Sequence, residues 1–439
     1  MSRLVRLVRW SVLAMWISAA GSAFAADSAK EISALIARAK AADRSQRHDE
    51  AIALFTEALQ RDPKNATVFR LRGLVYRFKK DYQKAVADYT EAIRLEPEFA
   101  FAYSQRGLCY LRMGESAKAM TDCNEAIRVD PRSDNGYYVR GLVYQQRGDY
   151  LRAIADLPEA IRLDPRYGES VLRRGECYCS RQQYKKAIED FTTAIRVDPT
   201  DADGYIGRAK VYADQEEYEK AIKDCTEAIR LNPRHADYYD KRGAFCLGIG
   251  QYDKAVVDAT EALRLKPKDV IAYSVRGVAY AMLRKFDDAV ADYTKAIELD
   301  PQCKQYDTSH SDRASAYFNK GEFPKAIADY SETIRLFPKD AHAYLCRGDV
   351  YALQNDLPRA VADFSEAIRL KPSDPDAYVW RGKAYSAMGE NERADADFAM
   401  AKQLRKLWGK GQGNEKEGTG SRVFERDFVP GVEPRWLPR

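Results

Sequence analysis

Residues 66–97 read ATVFRLRGLVYRFKKDYQKAVADYTEAIRLEP, and the placing of their aromatic and small residues decides the fold. Phe69, Gly73 and Tyr76 fall in the first half; Ala85, Tyr89, Ala92 and Pro97 fall in the second. One period later Tyr103, Gly107, Tyr110, Ala119 and Ala126 take the same places, and Tyr378, Gly382, Tyr385, Ala394, Phe398 and Ala401 do so at the far end. Pro63, Pro97, Pro131, Pro165, Pro199, Pro233, Pro267 and Pro301 stand 34 residues apart; the interval to Pro338 is 37 and Pro372 restores 34. A fixed period of this length marks an array of one supersecondary unit. Within each unit apolar residues recur at spacings of three, four and seven, which predicts two helices of about a dozen residues with one buried stripe each. A turn such as Lys80-Asp81-Tyr82 separates them, and a step such as Glu96-Pro97 ends the second, because proline lacks the N–H that a helix needs.

The recurring glycine and alanines let two backbones approach while a neighbouring aromatic fills the gap, so these aromatics are expected in the core. The pattern resembles the tetratricopeptide repeat, whose aromatic, glycine, tyrosine, alanine, aromatic, alanine and proline occupy these places. That resemblance implies an all-α fold, a right-handed superhelical solenoid of antiparallel helix pairs in which each unit buries its face against its neighbours. Eleven units are expected, the first (Ile32 to Asn65) degenerate and the last without its proline. The organisation reads as a signal peptide over 1–25, a degenerate capping repeat over 26–65, ten tandem repeats over 66–406 and a flexible basic tail over 407–439. Pro158 sits inside a second helix, where it is expected to cost a hydrogen bond. Ala209 and Ala314 stand at the glycine position, Thr333 replaces an alanine and Cys246 a tyrosine. Three extra residues near Gln302 to Ser311 lengthen one inter-unit loop.

One feature is more particular than the family pattern. The residue before the glycine position is arginine in all ten full units, from Arg72, Arg106, Arg140, Arg174 and Arg208 through Arg242, Arg276, Arg313 and Arg347 to Arg381. Sixteen residues after each stands an aspartate, Asp88, Asp122, Asp156, Asp190, Asp224, Asp258, Asp292, Asp329, Asp363 and Asp397. In an antiparallel hairpin the two lie at one height, where a guanidinium holds a carboxylate by two parallel bonds. A ladder of arginines gripping an anionic ligand is the alternative. Each arginine arrives with its own acid, so the pair is read as fixing helix register. In the degenerate unit Arg38 faces Leu54 instead of an acid.

The composition, 45% hydrophobic and 31% charged, is that of a folded chain. Of the net charge of +5, three positive charges belong to Arg3, Arg6 and Arg9 and four to the stretch from Lys402 onward, which leaves the body at −2. A body of that sign lacks the basic stripe that nucleic-acid binding needs. Arginines in the first nine residues, a mostly apolar run from Trp10 to Ala20 and the small-x-small step Ala23-Phe24-Ala25 form a cleavable export signal, with no stable membrane span after cleavage. The mature chain is expected outside the cytoplasm, periplasmic or secreted. The apolar run is shorter than the roughly 20 residues of a membrane anchor.

Chemistry has little room. His48, His235, His310 and His342 are scattered, no zinc-type spacing occurs, and Gly409 to Gly420 lacks the ending of a phosphate loop. Cofactors are expected to be none. Cys303, Asp307, His310 and Asp312 lie within ten residues, but His310 also falls at the aromatic position of its helix, which makes an enzymatic metal site the remote alternative. Cys123 and Cys225 occupy the second-helix aromatic position and read as small core residues.

The family resemblance implies binding: its first helices line a concave face where extended peptides or partner helices lie. The places so implied are Arg70, Leu74 and Arg77, then Leu108, Leu111 and Arg112, then Tyr138, Leu142 and Gln145. An apolar track with an arginine margin suits an extended peptide of acidic character. The Lys-and-Asn clamp with which some relatives hold a terminal carboxylate is not recognisable at these places. A protein-interaction scaffold is the leading expectation and a structural subunit of a cell-envelope assembly the alternative. Apolar pairs at Val423-Phe424, Phe428-Val429 and Trp436-Leu437 give the tail material for docking.

Overall fold

A computed structural model describes residues 29–166, 168–304 and 308–411. The leader, Asp307 and residues 412–439 lie outside them. The described residues fall into two units, one ending at Pro199 and one beginning at Thr200, and each is a run of antiparallel helix pairs without strands. Residues 29–44 and His48–Arg61 form the degenerate pair. The quoted stretch folds into Ala66–Phe78 and Tyr82–Leu95, and Ala100–Arg112 with Ser116–Val129 repeats it. The last helix is Asn391–Gly411.

Each helix boundary has a local cause. In the turn after Ala100–Arg112, Gly114 adopts φ +80°, the Glu115 N–H donates to the Tyr110 carbonyl at 2.8 Å and the Gly114 N–H to that of Leu111 at 3.1 Å. That left-handed closure satisfies the carbonyls a helix end leaves open. Lys80, Gln182, Glu216, Arg284 and Asn355 adopt the same conformation in their own turns despite carrying a Cβ. Many starts are capped by side chains; Asp81 accepts from the Lys84 N–H and Asn65 from the Val68 N–H.

The core lies between the helices of a pair and between neighbouring pairs. In the first unit Ala85, Tyr89, Ala92, Ala102 and Cys109 form one buried cluster, and Val139, Val143, Ala153 and Leu157 belong to another with Cys123. In the second unit Phe364 is buried with Ala352, Ala360 and Ala384. The glycine position is a close approach: a Cβ on Gly348 would stand 2.7 Å from Cε1 of Phe364. Thr333 keeps its buried hydroxyl bonded to the Asp329 carbonyl at 3.1 Å. Tyr150–Leu163 runs unbroken through Pro158.

Candidate functional site

The ten arginine–aspartate pairs all form. Each arginine donates from Nε and Nη2 to the two carboxylate oxygens, at 2.6–2.9 Å throughout. Arg72–Asp88, Arg106–Asp122, Arg208–Asp224 and Arg381–Asp397 illustrate the geometry at the ends and middle of the array. The carboxylates are buried, except that of Asp156, which is half-buried, and the guanidiniums are half-buried.

A third contact went unread in the sequence. Nη1 reaches back to the second helix of the preceding repeat: Arg72 to Thr56 at 2.9 Å, Arg106 to Thr90 at 3.1 Å, Arg140 to Asn124 at 3.0 Å and Arg242 to Thr226 at 3.1 Å. Arg276, Arg313, Arg347 and Arg381 do the same to Thr260, Thr294, Ser331 and Ser365. The guanidinium therefore ties a hairpin internally and to its neighbour. Arg174 makes the first two bonds only, and the corresponding position sixteen residues before it is Pro158, which offers no side-chain acceptor. Arg38 is exposed and Leu54 is buried, so the degenerate unit has no such tie.

Within each unit most successive first helices touch one another, as Ala66–Phe78 does Ala100–Arg112, while successive second helices stand farther apart. The first helices thus line the inner side. Of the nine residues predicted there, Leu111 and Tyr138 are buried, so they present little to a ligand. Tyr138 and Gln145 are engaged with the next repeat: the Tyr138 hydroxyl reaches Glu169 at 3.4 Å and Gln145 Nε2 donates to Glu176 at 2.8 Å. Arg173 also binds both glutamates. Leu74, Leu108 and Leu142 are half-buried, the last two in inter-repeat packing, which leaves partial edges in place of a continuous apolar track.

The arginine margin stands differently. Arg70 lies over the rings of Phe99 and Phe101, at 5.7 and 5.5 Å from their centroids, and Arg77 lies over exposed Phe78 at 4.6 Å. Arg112 is exposed. Among the described residues none of the three has a carboxylate within ion-pair distance, and Arg77 Nε is buried without an acceptor. The Tyr89 hydroxyl is buried in the same region; burial pushes it well above the usual phenol range, and the Arg77 and Arg70 guanidiniums pull the other way.

In the second unit two buried acids were missed in the sequence. Asp349, on Ala341–Leu353, has an unpartnered Oδ1; burial pushes its carboxyl from 3.8 up to about 6, with Lys383 pulling the other way. The folded state therefore keeps a proton that the unfolded chain has already lost. The contribution of this carboxyl to stability should fall as pH rises from about 4 to about 6, by about 3 kcal/mol, and level off above, where it is ionised in both states. Asp349→Asn is expected to remove that slope and to raise stability at pH 7 by about 1–3 kcal/mol. Melting curves from pH 4 to 8 check this; parallel profiles for the two proteins would count against it. The other acid, Asp240, stands with Asp237 and Asp269, ligand oxygens all within 4.8 Å of one another. Burial is the main cause, ahead of the neighbouring acids, that pushes Asp240 up to about 7.

His310 is buried on its helix, with Nδ1 3.7 Å from Asp329, and Cys303 is buried. Among the described residues they do not join a metal-ligating group; Asp307 lies outside them. Cys123 and Cys225 are buried free thiols, pushed above their usual range by burial.

Sequence models of the tetratricopeptide repeat match residues 36–98, 100–133, 135–167, 202–235, 270–303 and 311–375, and a TPR-repeat model matches 175–216. The chain belongs to the tetratricopeptide-repeat family. This family's fold is a protein-interaction scaffold. The chain is similar to the crystal structure of a tetratricopeptide repeat protein from Parabacteroides merdae, at 21% identity over 57% of this chain and 98% of that one, TM-score 0.47. Yeast Tom70 is similar at 17% identity over 88% and 99%, TM-score 0.42. YrrB, described as a TPR protein with an unusual peptide-binding site, is similar at 22% identity over 41% and 92%, TM-score 0.36. No curated protein matches the chain. No described helix of this tetratricopeptide-repeat protein is long and apolar enough to cross a membrane.

Proposed function

We propose that this tetratricopeptide-repeat chain is an exported scaffold, binding rather than catalytic, that takes an extended acid-bearing peptide segment on the first-helix side of its first unit. The observation that carries the reading is a contrast between arginines. Ten in the hairpins are each neutralised by an aspartate, whereas Arg70, Arg77 and Arg112 have none among the described residues; Arg70 and Arg77 stand over aromatic rings and Arg112 is exposed. A guanidinium backed by a ring remains free to pair with a carboxylate, and the half-buried leucine edges nearby suit alternate apolar side chains of an extended strand. Phe99 also lines a cavity of about 610 Å³ with Glu96, Pro97 and Glu98.

The test is selection of a random peptide library on the protein. Enriched peptides should pair Asp or Glu with aromatic or aliphatic residues, and Arg70→Glu with Arg77→Glu should weaken their binding by at least about tenfold. Enrichment of basic peptides, or affinity untouched by the charge reversal, would overturn the reading. Export rests on the leader read in residues 1–25, and mass measurement of the protein from its native host should give a first residue of Ala26.

A further inference from the structure

The acids Asp237, Asp240 and Asp269 come from two successive repeats. Asp237 and Asp240 lie one turn apart on Ala236–Gly248, and Asp269 caps Val270–Met282, the next first helix. These two helices touch. Asp269 accepts from the Ile271 and Ala272 N–H groups at 3.0 and 3.4 Å and from Lys266 Nζ at 2.6 Å. Lys266 is 3.9 Å from Asp237. Asp240 is different: it is 6% exposed, accepts no hydrogen bond from the described residues, and its Oδ1 is fully enclosed and unpartnered among them. Its carboxylate nonetheless faces the other two across less than 4.8 Å.

A buried carboxylate that accepts nothing is costly, and one facing two more acids is costlier still. A structural role in the fold does not account for it, because the hairpin register is already fixed by Arg242 and Asp258. Lys266 supplies one ammonium against three carboxyl groups: it bonds Asp269, stands 3.9 Å from Asp237, and with Lys241 behind it eases the burden on Asp240 electrostatically without bonding to it. What completes the arrangement is a small cation of higher charge. An all-oxygen donor set with one exposed carboxylate, as an entry side, and two buried ones fits a hard divalent ion, and rules against the soft metals that thiolate and imidazole select.

We propose that Asp237, Asp240 and Asp269 form a binding site for a divalent cation of the Ca²⁺ class, held across the junction of two successive first helices. Lys266 is its resident counter-charge. The Lys266 side chain is 55% exposed and its ammonium swings outward as the ion enters, so the site exchanges one bound positive charge for two. The bound ion ties the repeat that opens at Ala236 to the one that opens at Val270. The cation site does not depend on the peptide reading, since it lies in the other unit.

The purified full chain, stripped with chelator, is titrated with CaCl₂ by equilibrium dialysis with radioactive calcium. One ion per chain should bind, saturating below about 1 mM. Asp240→Asn keeps the volume of the side chain and should weaken binding by at least about tenfold with an unchanged helical spectrum; Asp237→Asn, at an exposed position, should do the same. Lys266→Met should tighten binding by about tenfold, which adventitious attachment to surface acids would not show. Failure of the wild-type chain to saturate at 1 mM, or binding left within about twofold by both asparagine variants, overturns the site.

Discussion

Asp224→Ala is expected to cost about 3–5 kcal/mol of stability, because it strands the half-buried Arg208 guanidinium without its carboxylate. Two bonds of 2.8 Å are lost together, and the side chain of Asp224 is only 9% exposed, so water replaces little of what it supplied. Arg208 is 19% exposed, which lets its head recover some hydration and places the expected value toward the lower end. Removing both partners is a different matter. Arg208→Met with Asp224→Leu should recover most of the loss, since a well-packed apolar pair of similar volume is often as stable as a buried ion pair. The pair's role is thus one of register more than of net stability. Because a repeat array unfolds as coupled neighbours, the measurement is amide exchange in Ala202–Asp214 and Tyr218–Leu231 alongside the urea midpoint. A loss of only about 0–1 kcal/mol would place the pair in solvent and remove the register argument.

That pairing was legible because both members recur in every period and their separation equals the span of a hairpin. The third bond was equally present in the sequence, as Thr, Asn or Ser sixteen residues before most of the arginines, and its failure at Pro158 was visible as well. It was missed because the contact crosses to the preceding repeat, and reading one unit at a time cannot show it. The same cause accounts for the binding face. Leu111 and Tyr138 fall at first-helix positions that a single hairpin would expose, but the neighbouring repeat covers them. Leu142 and Gln145 are partly taken up in the same way. Arg70, Arg77 and Arg112 survive as candidates because long cationic side chains reach past that packing to rings and solvent. The Asp237, Asp240 and Asp269 cluster was illegible for a stronger reason: it occurs at one junction only, so periodicity carries no trace of it.

The glycine position gives the sharpest test of the packing. Phe364→Ala should cost about 3–5 kcal/mol, the transfer loss of a buried ring plus the cavity it leaves. The ring is fully buried in a cluster against which Leu345, Tyr351 and Trp380 pack, and it lies flush against Gly348. Gly348→Ala alone should cost about 1–3 kcal/mol, because the new methyl must push aside a ring that cannot leave. In the Phe364→Ala background the same methyl enters vacated space, so its cost should vanish or change sign, a coupling of about 1–3 kcal/mol in a double-mutant cycle. The chain already contains such a matched exchange: Ala209 stands at the glycine position of the repeat whose aromatic position is Cys225, and both are buried. Ala314 opposite Tyr330 shows the other solution, in which a large ring is retained and its hydroxyl lies 2.9 Å from Ser315. Phe364 has no hydroxyl to redirect it, so the first solution is the one open to it. Amide exchange in Leu357–Leu370 and the urea midpoint of the four proteins read the cycle; strictly additive losses would show that the ring and the glycine do not share the space.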